Sequence, residues 1–379
     1  MGLAPAADRR RRLAVIGAND HGELAARIAR RVRREGPLSI AAFMAMALHD
    51  PESGYYARRN PLGAAGDFIT APEISQIFGE LIGLWCAHLW QHIGKSDPVI
   101  IAELGPGRGA LIGDFLRAAA TLPEFRQALR LYLVEASPVL RAVQQRRLAE
   151  AEPQFVASID ALPPGPLLLV ANEFLDALPI RQLVRGRLAW AERVVSLDAE
   201  DRLVFADGPE NRALSLLVPP ALRALPPGTI VEIRPAASAL AAALGERLAR
   251  QPGAALFVDY GYVPSAPGPT LAAVRRHQPA ALLDDAGSAD LSAHVDFAAF
   301  AAAAREAGAV VHGPVAQGRF LAALGAEARL ASLSAGANPT QRAALKSGLE
   351  RLLDPAQMGN LFKVLALTSP GLPAPPGFE

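Results

Sequence analysis

The sequence predicts an α/β fold: a mostly parallel sheet with helices on both faces, preceded by a helical extension and interrupted by a β-hairpin insertion. Three observations lead there. Short apolar runs recur from Val99 onward, alanine- and leucine-rich stretches of helical spacing separate most of them, and the first run ends in a glycine-rich turn. Buried strands alternating with helices are the pattern of a parallel sheet covered on both sides.

The elements follow in chain order. Asn19 or Asp20 can cap a helix whose apolar stripe is Leu24, Ile28 and Val32, stopped by Gly36-Pro37. Ser39 can cap a second helix carrying Phe43, Met46 and Ala47, closed by Asp50-Pro51. A turn-rich loop spans Glu52 to Asp67, and Thr70-Ala71-Pro72-Glu73 has the form of a capping box before a long apolar helix through Trp85 and Trp90. Strands are expected at Val99–Leu104, Leu131–Glu135, Phe155–Ser158, Leu167–Ala171 and Ala255–Tyr260, and later at Val310–His312 and Leu361–Leu367. Gln182–Val184, Leu188–Ala191, Val194–Leu197 and Leu203–Phe205 read as inserted hairpin strands. This predicts a helical region over 1–97, a core over 98–180 and 236–370, an insertion over 181–235, and a disordered tail over 371–379.

Composition narrows the function classes. Hydrophobic residues make up 51% of 379, enough for a large core. A balance of 38 basic against 37 acidic residues argues against a nucleic-acid binder, which needs a cationic surplus for phosphate contacts. The single cysteine, Cys86, excludes an internal disulfide and a cysteine-rich zinc site, and suits a reducing compartment. No apolar run approaches the roughly 20 residues of a membrane helix, so no membrane insertion is expected. The start ends in four arginines, Arg9–Arg12, and the following apolar stretch is too short for an export signal. A cytoplasmic protein is expected, with a mitochondrial targeting segment as the second reading. Nothing in the sequence sets an oligomeric state.

The most informative segment is Val99-Ile-Ile-Ala-Glu-Leu-Gly-Pro-Gly-Arg-Gly109, a strand running into the turn of Gly105, Gly107 and Gly109. Such glycines let the chain bend sharply and let a ligand approach the main chain. Alone, the turn also fits a dinucleotide fingerprint. Glu103 discriminates, because a carboxylate two residues upstream suits a cationic sulfonium and ammonium better than a pyrophosphate. That chemistry points to S-adenosyl-L-methionine. Glu135 ends the next strand 28 residues after Gly107 and is suited to a ribose diol, which both cofactor types carry. The bland alternatives are an ion pair of Glu103 with Arg108, and a helix cap by Glu135 before Ser137-Pro138.

The fourth strand leads into Asn172-Glu-Phe-Leu-Asp-Ala-Leu-Pro179. Ligands sit beyond the carboxyl ends of strands in such sheets, so Asn172, Glu173 and Asp176 should face the cleft of Gly107 and hold a nitrogen-bearing acceptor. The competing reading is a helix start with Asn172 as its cap.

Taken together, these segments resemble the MidA family, whose mitochondrial members are complex I assembly-factor protein arginine methyltransferases. The matches run through Gly36-Pro-Leu-Ser-Ile40, His49-Asp-Pro-Glu-Ser-Gly-Tyr-Tyr56, Gly66-Asp-Phe-Ile-Thr-Ala-Pro-Glu-Ile-Ser-Gln-Ile-Phe-Gly-Glu80, Glu103–Gly109 and Asn172–Pro179. They continue through Asp259-Tyr-Gly-Tyr262, Arg275-Arg-His-Gln278, Ala289–Phe297, Gln317-Gly-Arg-Phe320 and Met358–Val364. The resemblance implies a class I, Rossmann-like S-adenosyl-L-methionine-dependent methyltransferase, with Gly105, Gly107 and Gly109 beside the methionine moiety and Glu135 on the ribose. It further implies a protein arginine as acceptor, on a respiratory complex I subunit in the mitochondrial relatives. Leu175 stands where the family often has a second phenylalanine, and the paired-glutamate hairpin of ordinary arginine methyltransferases is missing.

Further site candidates are Gly66, Asp67 and Thr70, which lead into a helix whose N–H groups suit a carboxylate. The capping box offers Thr70 and Glu73 a structural role instead. Asp259-Tyr260 and His294 with Asp296 are candidates to frame an acceptor. His88 and His92 share a helix face with Trp85 and Leu89 and read as core or partner-facing residues, so no metal is expected. A cofactor-binding assembly factor without catalysis, and a nicotinamide oxidoreductase, are the rival functions.

Overall fold

Seven principal strands build the central sheet in a computed structural model that describes residues 21–58, 70–284 and 286–379. They are β1 (Val99–Leu104), β2 (Leu129–Val134), β3 (Gln154–Val156), β4 (Leu167–Asn172), β5 (Gly253–Tyr262), β6 (Val310–Ala316) and β7 (Phe362–Thr368). Their order across the sheet is β3-β2-β1-β4-β5-β7-β6. The first five are parallel, and β7 runs antiparallel between β5 and β6. This is the doubly wound, Rossmann-like arrangement, reversing direction between β1 and β4, where such sheets bind ligands.

Alternation along each strand divides the core into two layers. Val99, Ile101, Leu131, Leu133, Leu168 and Val170 join the helices Gln76–His92 and Ala110–Ala119 on one face. Ile100, Ala102, Leu104, Leu167, Leu169 and Ala171 join Pro235–Arg250 and Phe297–Glu306 on the other. A side-chain period of two, buried on both faces, produces the continuous apolar runs of the sequence.

The Gln76–His92 helix is part of this sheet unit, which comprises Leu62–Leu178, Arg234–Ala266 and His294–Glu379, so the boundary expected at residue 97 is corrected. Gly79 and Gly83 explain the docking. A Cβ at Gly79 would lie 2.7 Å from Asp114 Cβ, and one at Gly83 2.9 Å from the Phe115 carbonyl oxygen, so only glycine lets the two helices approach this closely. The capping box is also corrected. Thr70 makes no side-chain cap to the short Ala71–Ile74 helix; the chain breaks at Ser75, whose Oγ accepts from Ile77 N at 3.3 Å and starts the long helix. The tail expected to be disordered is anchored, because Trp85 Nε1 donates to the Pro376 carbonyl at 3.2 Å and the Phe378 ring packs on Phe320.

A second unit comprises Met1–Pro61, Pro179–Ile233 and Pro267–Ala293. Its described part opens with the helix His21–Glu35, which buries Leu24, Ile28 and Val32; the caps expected at Asn19 or Asp20 lie outside the described residues. Ser39 Oγ accepts from Ala42 N at 3.1 Å and caps Ile40–His49. The inserted strands are Arg181–Arg185, Trp190–Leu197, Leu203–Asp207 and Ile230–Ile233. The runs read as two strands around Val194 are one. Leu188 lies in the preceding turn, where Glu210 accepts the N–H groups of Arg187, Leu188 and Ala189. Ala272–Arg275, Gln278–Ala280 and Asp290–Ser292 add a small sheet that the sequence pattern did not signal. Among the described residues no helix is long and apolar enough to cross a membrane.

Candidate functional site

The carboxyl edge of the parallel strands collects the residues singled out in the sequence. Gly105, Gly107 and Gly109 all have positive φ (59°, 54° and 73°), the left-handed region that glycine enters without strain. Gly105 N donates to the Val134 carbonyl at 3.0 Å, tying the turn to the end of β2. A Cβ on Gly105 would meet the Phe174 ring at 2.8 Å, so the segment after β4 lies across the glycine turn.

Glu103 is 3% exposed and its Oε2 has no hydrogen-bond partner among the described residues. The proposed ion pair with Arg108 does not form; the Arg108 guanidinium approaches Glu73 instead, at 3.7 Å. Burial pushes the Glu103 carboxyl up to about 8, the nearby Glu135 adds to this, and Arg147 opposes it. Glu135, also buried and raised mainly by desolvation, accepts from Ser137 N at 2.8 Å. It does not cap the Pro138–Arg147 helix; Ser137 Oγ does, accepting from Leu140 N at 3.3 Å.

Gln144 is a site residue that sequence reasoning missed. Fully buried on the Pro138–Arg147 helix, it donates from Nε2 to the Gly107 carbonyl at 2.7 Å and to Glu135 Oε2 at 3.0 Å. One amide thus fixes the glycine turn against the acidic end of β2. Its Oε1 is left without a partner among the described residues.

After β4 the chain does not enter a helix, which removes the reading of Asn172 as a cap. Glu173 has φ 48°, rare for a residue with a Cβ, and its N–H donates to the Val258 carbonyl. Its Oε1 accepts from Ala71 N and from Asn172 Nδ2, both at 3.1 Å. Burial, with Asp176 adding, raises the Glu173 carboxyl to about 7. Asp176 accepts from the Tyr260 hydroxyl at 2.7 Å, while its Oδ1 and Asn172 Oδ1 are buried without partners among the described residues. Desolvation dominates the upward shift of Asp176. Asp259 and Arg234 grip the same turn. Asp296 caps the Phe297–Glu306 helix rather than facing the cleft, and His294 packs edge-on against Tyr260. Gly66 and Asp67 lie outside the described residues; Thr70 leads into Ala71, whose N–H is already taken by Glu173.

Glu103 on β1, Asn172 and Asp176 at and after the end of β4, and Gln144 on the Pro138–Arg147 helix each hold a buried oxygen without a partner among the described residues, as does Glu73, and Arg108 Nε is a buried donor without one. Such oxygens are costly unless a ligand rich in donors satisfies them. An aminoacyl nucleoside with an ammonium and a ribose diol fits this set, and so does a cationic nitrogen acceptor.

The raised carboxyls carry a pH signature. Glu103 and Glu173 hold protons in the folded protein that the unfolded chain releases near 4.5, so stability falls as pH rises from about 4.5 through 7 to 8. The ligand-free protein is expected to melt several degrees lower at pH 8 than at pH 5.5. Glu103→Gln should flatten that slope; a slope unchanged in the variant contradicts the assignment.

Comparison with known proteins gives a consistent picture. The family model described as "Putative S-adenosyl-L-methionine-dependent methyltransferase" matches residues 81–315. The mitochondrial protein arginine methyltransferase NDUFAF7 of Danio rerio is 34% identical over 90% of this chain and 85% of its own length. Its homolog in Drosophila melanogaster is 36% identical over 92% and 85%. A crystal structure of a Burkholderia thailandensis protein bound to S-adenosyl-homocysteine superposes with a TM-score of 0.82 at 29% identity, covering 94% of each chain.

Proposed function

The chain belongs to the family of S-adenosyl-L-methionine-dependent methyltransferases, and from that premise we propose that its acceptor is an arginine side chain of another protein. One observation carries the acceptor reading: Asn172 Oδ1 and Asp176 Oδ1 are buried acceptors without partners, beside the partly buried Glu173. A guanidinium presents five N–H donors in a planar fork and a full positive charge, which this amide and carboxylate pair match.

The donor, when bound, supplies a methyl group on a cationic sulfur, already activated for in-line displacement. The chain's task is alignment. In our assignment Glu135 takes the ribose diol, Glu103 faces the α-ammonium, and the main chain of Gly105, Gly107 and Gly109 lies along the methionine moiety. Gly66, Asp67 and Thr70 are assigned to its carboxylate end. Asn172, Glu173 and Asp176 orient the guanidinium nitrogen towards the methyl group, and Glu173, titrating near neutrality, accepts the proton that the methylated nitrogen sheds.

Gln144→Leu tests the cofactor half. It removes two hydrogen bonds that hold the turn against Glu135, each contributing about 1 kcal/mol, and should weaken S-adenosyl-homocysteine binding roughly tenfold or more by calorimetry. Unchanged affinity contradicts the role given to this amide.

For the acceptor, the protein is incubated with labelled S-adenosyl-L-methionine and bulk protein from a strain lacking the gene, and methylated peptides are mapped by mass spectrometry. Label on arginine is expected. Label on another residue type overturns arginine as acceptor, and tight donor binding without any transfer favours the assembly factor. The resemblance drawn from the sequence makes a respiratory complex I subunit our first protein to examine. We assign the enzyme to the cytoplasm, or to the mitochondrion in a eukaryotic cell, the compartment in the names of the relatives.

A further inference from the structure

Asp259, near the carboxyl end of β5, is 1% exposed, and both its oxygens accept main-chain hydrogen bonds. Its Oδ2 accepts from the N–H groups of Phe174, Leu175 and Asp176 at 3.1, 2.9 and 3.2 Å. Its Oδ1 accepts from Tyr260 N at 2.9 Å. Four main-chain N–H donors face the carboxyl; burial, with Asp176 and Glu173 adding, pushes it well above the usual carboxylate range, while Arg234 and the Asp176 N–H oppose that shift.

The other side of the same turn meets a buried cation. Arg234 donates to the carbonyls of Asp176 and Leu178 at 3.2 and 3.1 Å, and to that of His294 at 3.2 Å. The turn after β4 is therefore held by the Asp259 carboxyl on its N–H groups and by the Arg234 guanidinium on its C=O groups. It needs such a grip, since Glu173 sits at φ 48°, a conformation that costs about 1–3 kcal/mol and persists only when its surroundings enforce it. Released, Glu173 would relax to negative φ and its carboxylate would swing away from Asn172 and Asp176.

We infer that Asp259 is the positioning residue of methyl transfer: with Arg234 opposite, its carboxyl fixes residues 173–176 so that Glu173 and Asp176 face the acceptor nitrogen. This rests on the acceptor reading proposed above. Asp259 spends both oxygens on the main chain, so its influence falls on the acceptor side and spares the donor.

The test uses full-length Asp259→Asn, which keeps the shape but turns one acceptor atom into a donor facing N–H groups. The initial rate of label transfer to bulk protein from a strain lacking the gene is measured at saturating donor, and S-adenosyl-homocysteine affinity by calorimetry. The rate is expected to fall about a hundredfold, the scale of an ångström of misplacement, while the dissociation constant stays within threefold. Arg234→Lys, which cannot span the carbonyls, should show the same split, and decides alone if Asp259→Asn fails to fold. Equal rates in wild type and variants overturn the role of Asp259 only. Rate and affinity lost together also overturn it, marking general support of the sheet edge. No transfer by the wild type overturns the acceptor reading and this inference with it.

Discussion

Replacing Gly107 by valine is expected to weaken donor binding by at least roughly a hundredfold and to abolish methyl transfer. The backbone at Gly107 has φ 54°, and its carbonyl is fixed by Gln144 Nε2 at 2.7 Å, so it cannot rotate away without losing that bond. A β-branched residue tolerates this region poorly, and forcing it there costs about 1–3 kcal/mol. The valine side chain also adds bulk to the stretch of main chain assigned to the methionine moiety. Calorimetry with S-adenosyl-homocysteine, beside a thermal melt, separates site from fold: affinity should collapse while melting falls only by some degrees. A variant that binds like wild type contradicts the site.

The second large effect is expected from Glu173→Gln. The amide keeps an oxygen for the Ala71 and Asn172 donors, so the turn should hold its shape, but it loses the charge and the capacity to take a proton. Transfer should slow by about 10²- to 10³-fold, within the range of lost acid–base catalysis, with donor affinity nearly unchanged. In the wild type the rate should rise with pH through about 7 as the carboxyl ionises, and the variant should lose that limb. If Glu173→Gln retains both wild-type rate and wild-type pH profile, Glu173 does not act on the acceptor.

These effects rest on residues of different legibility. The strands Val99–Leu104 and Leu167–Asn172 were readable to within a residue, because burial on both faces writes an unbroken apolar run. The glycine turn, Glu103 and Glu135 were readable because their offsets within one βαβ unit are short and chemically constrained. Gln144 was not, since an amide inside a helix announces nothing until it meets Gly107, 37 residues away. Asp259 could be placed at the correct edge, but its grip on Phe174, Leu175 and Asp176 spans more than 80 positions of chain. The Thr70–Glu73 pattern misled for a local reason: Ser75, a better-placed hydroxyl, starts the long helix. That helix is apolar nearly all round, a pattern that signals burial without naming the sheet that provides it.

One measurement bears on the whole account: a crystal structure of this protein with S-adenosyl-homocysteine. The ribose hydroxyls should lie within hydrogen-bond distance of Glu135, the amino-acid end along Gly105–Gly109, and the sulfur should point towards Asn172, Glu173 and Asp176. A ribose bound away from Glu135, or a sulfur turned from the β4 turn, contradicts it.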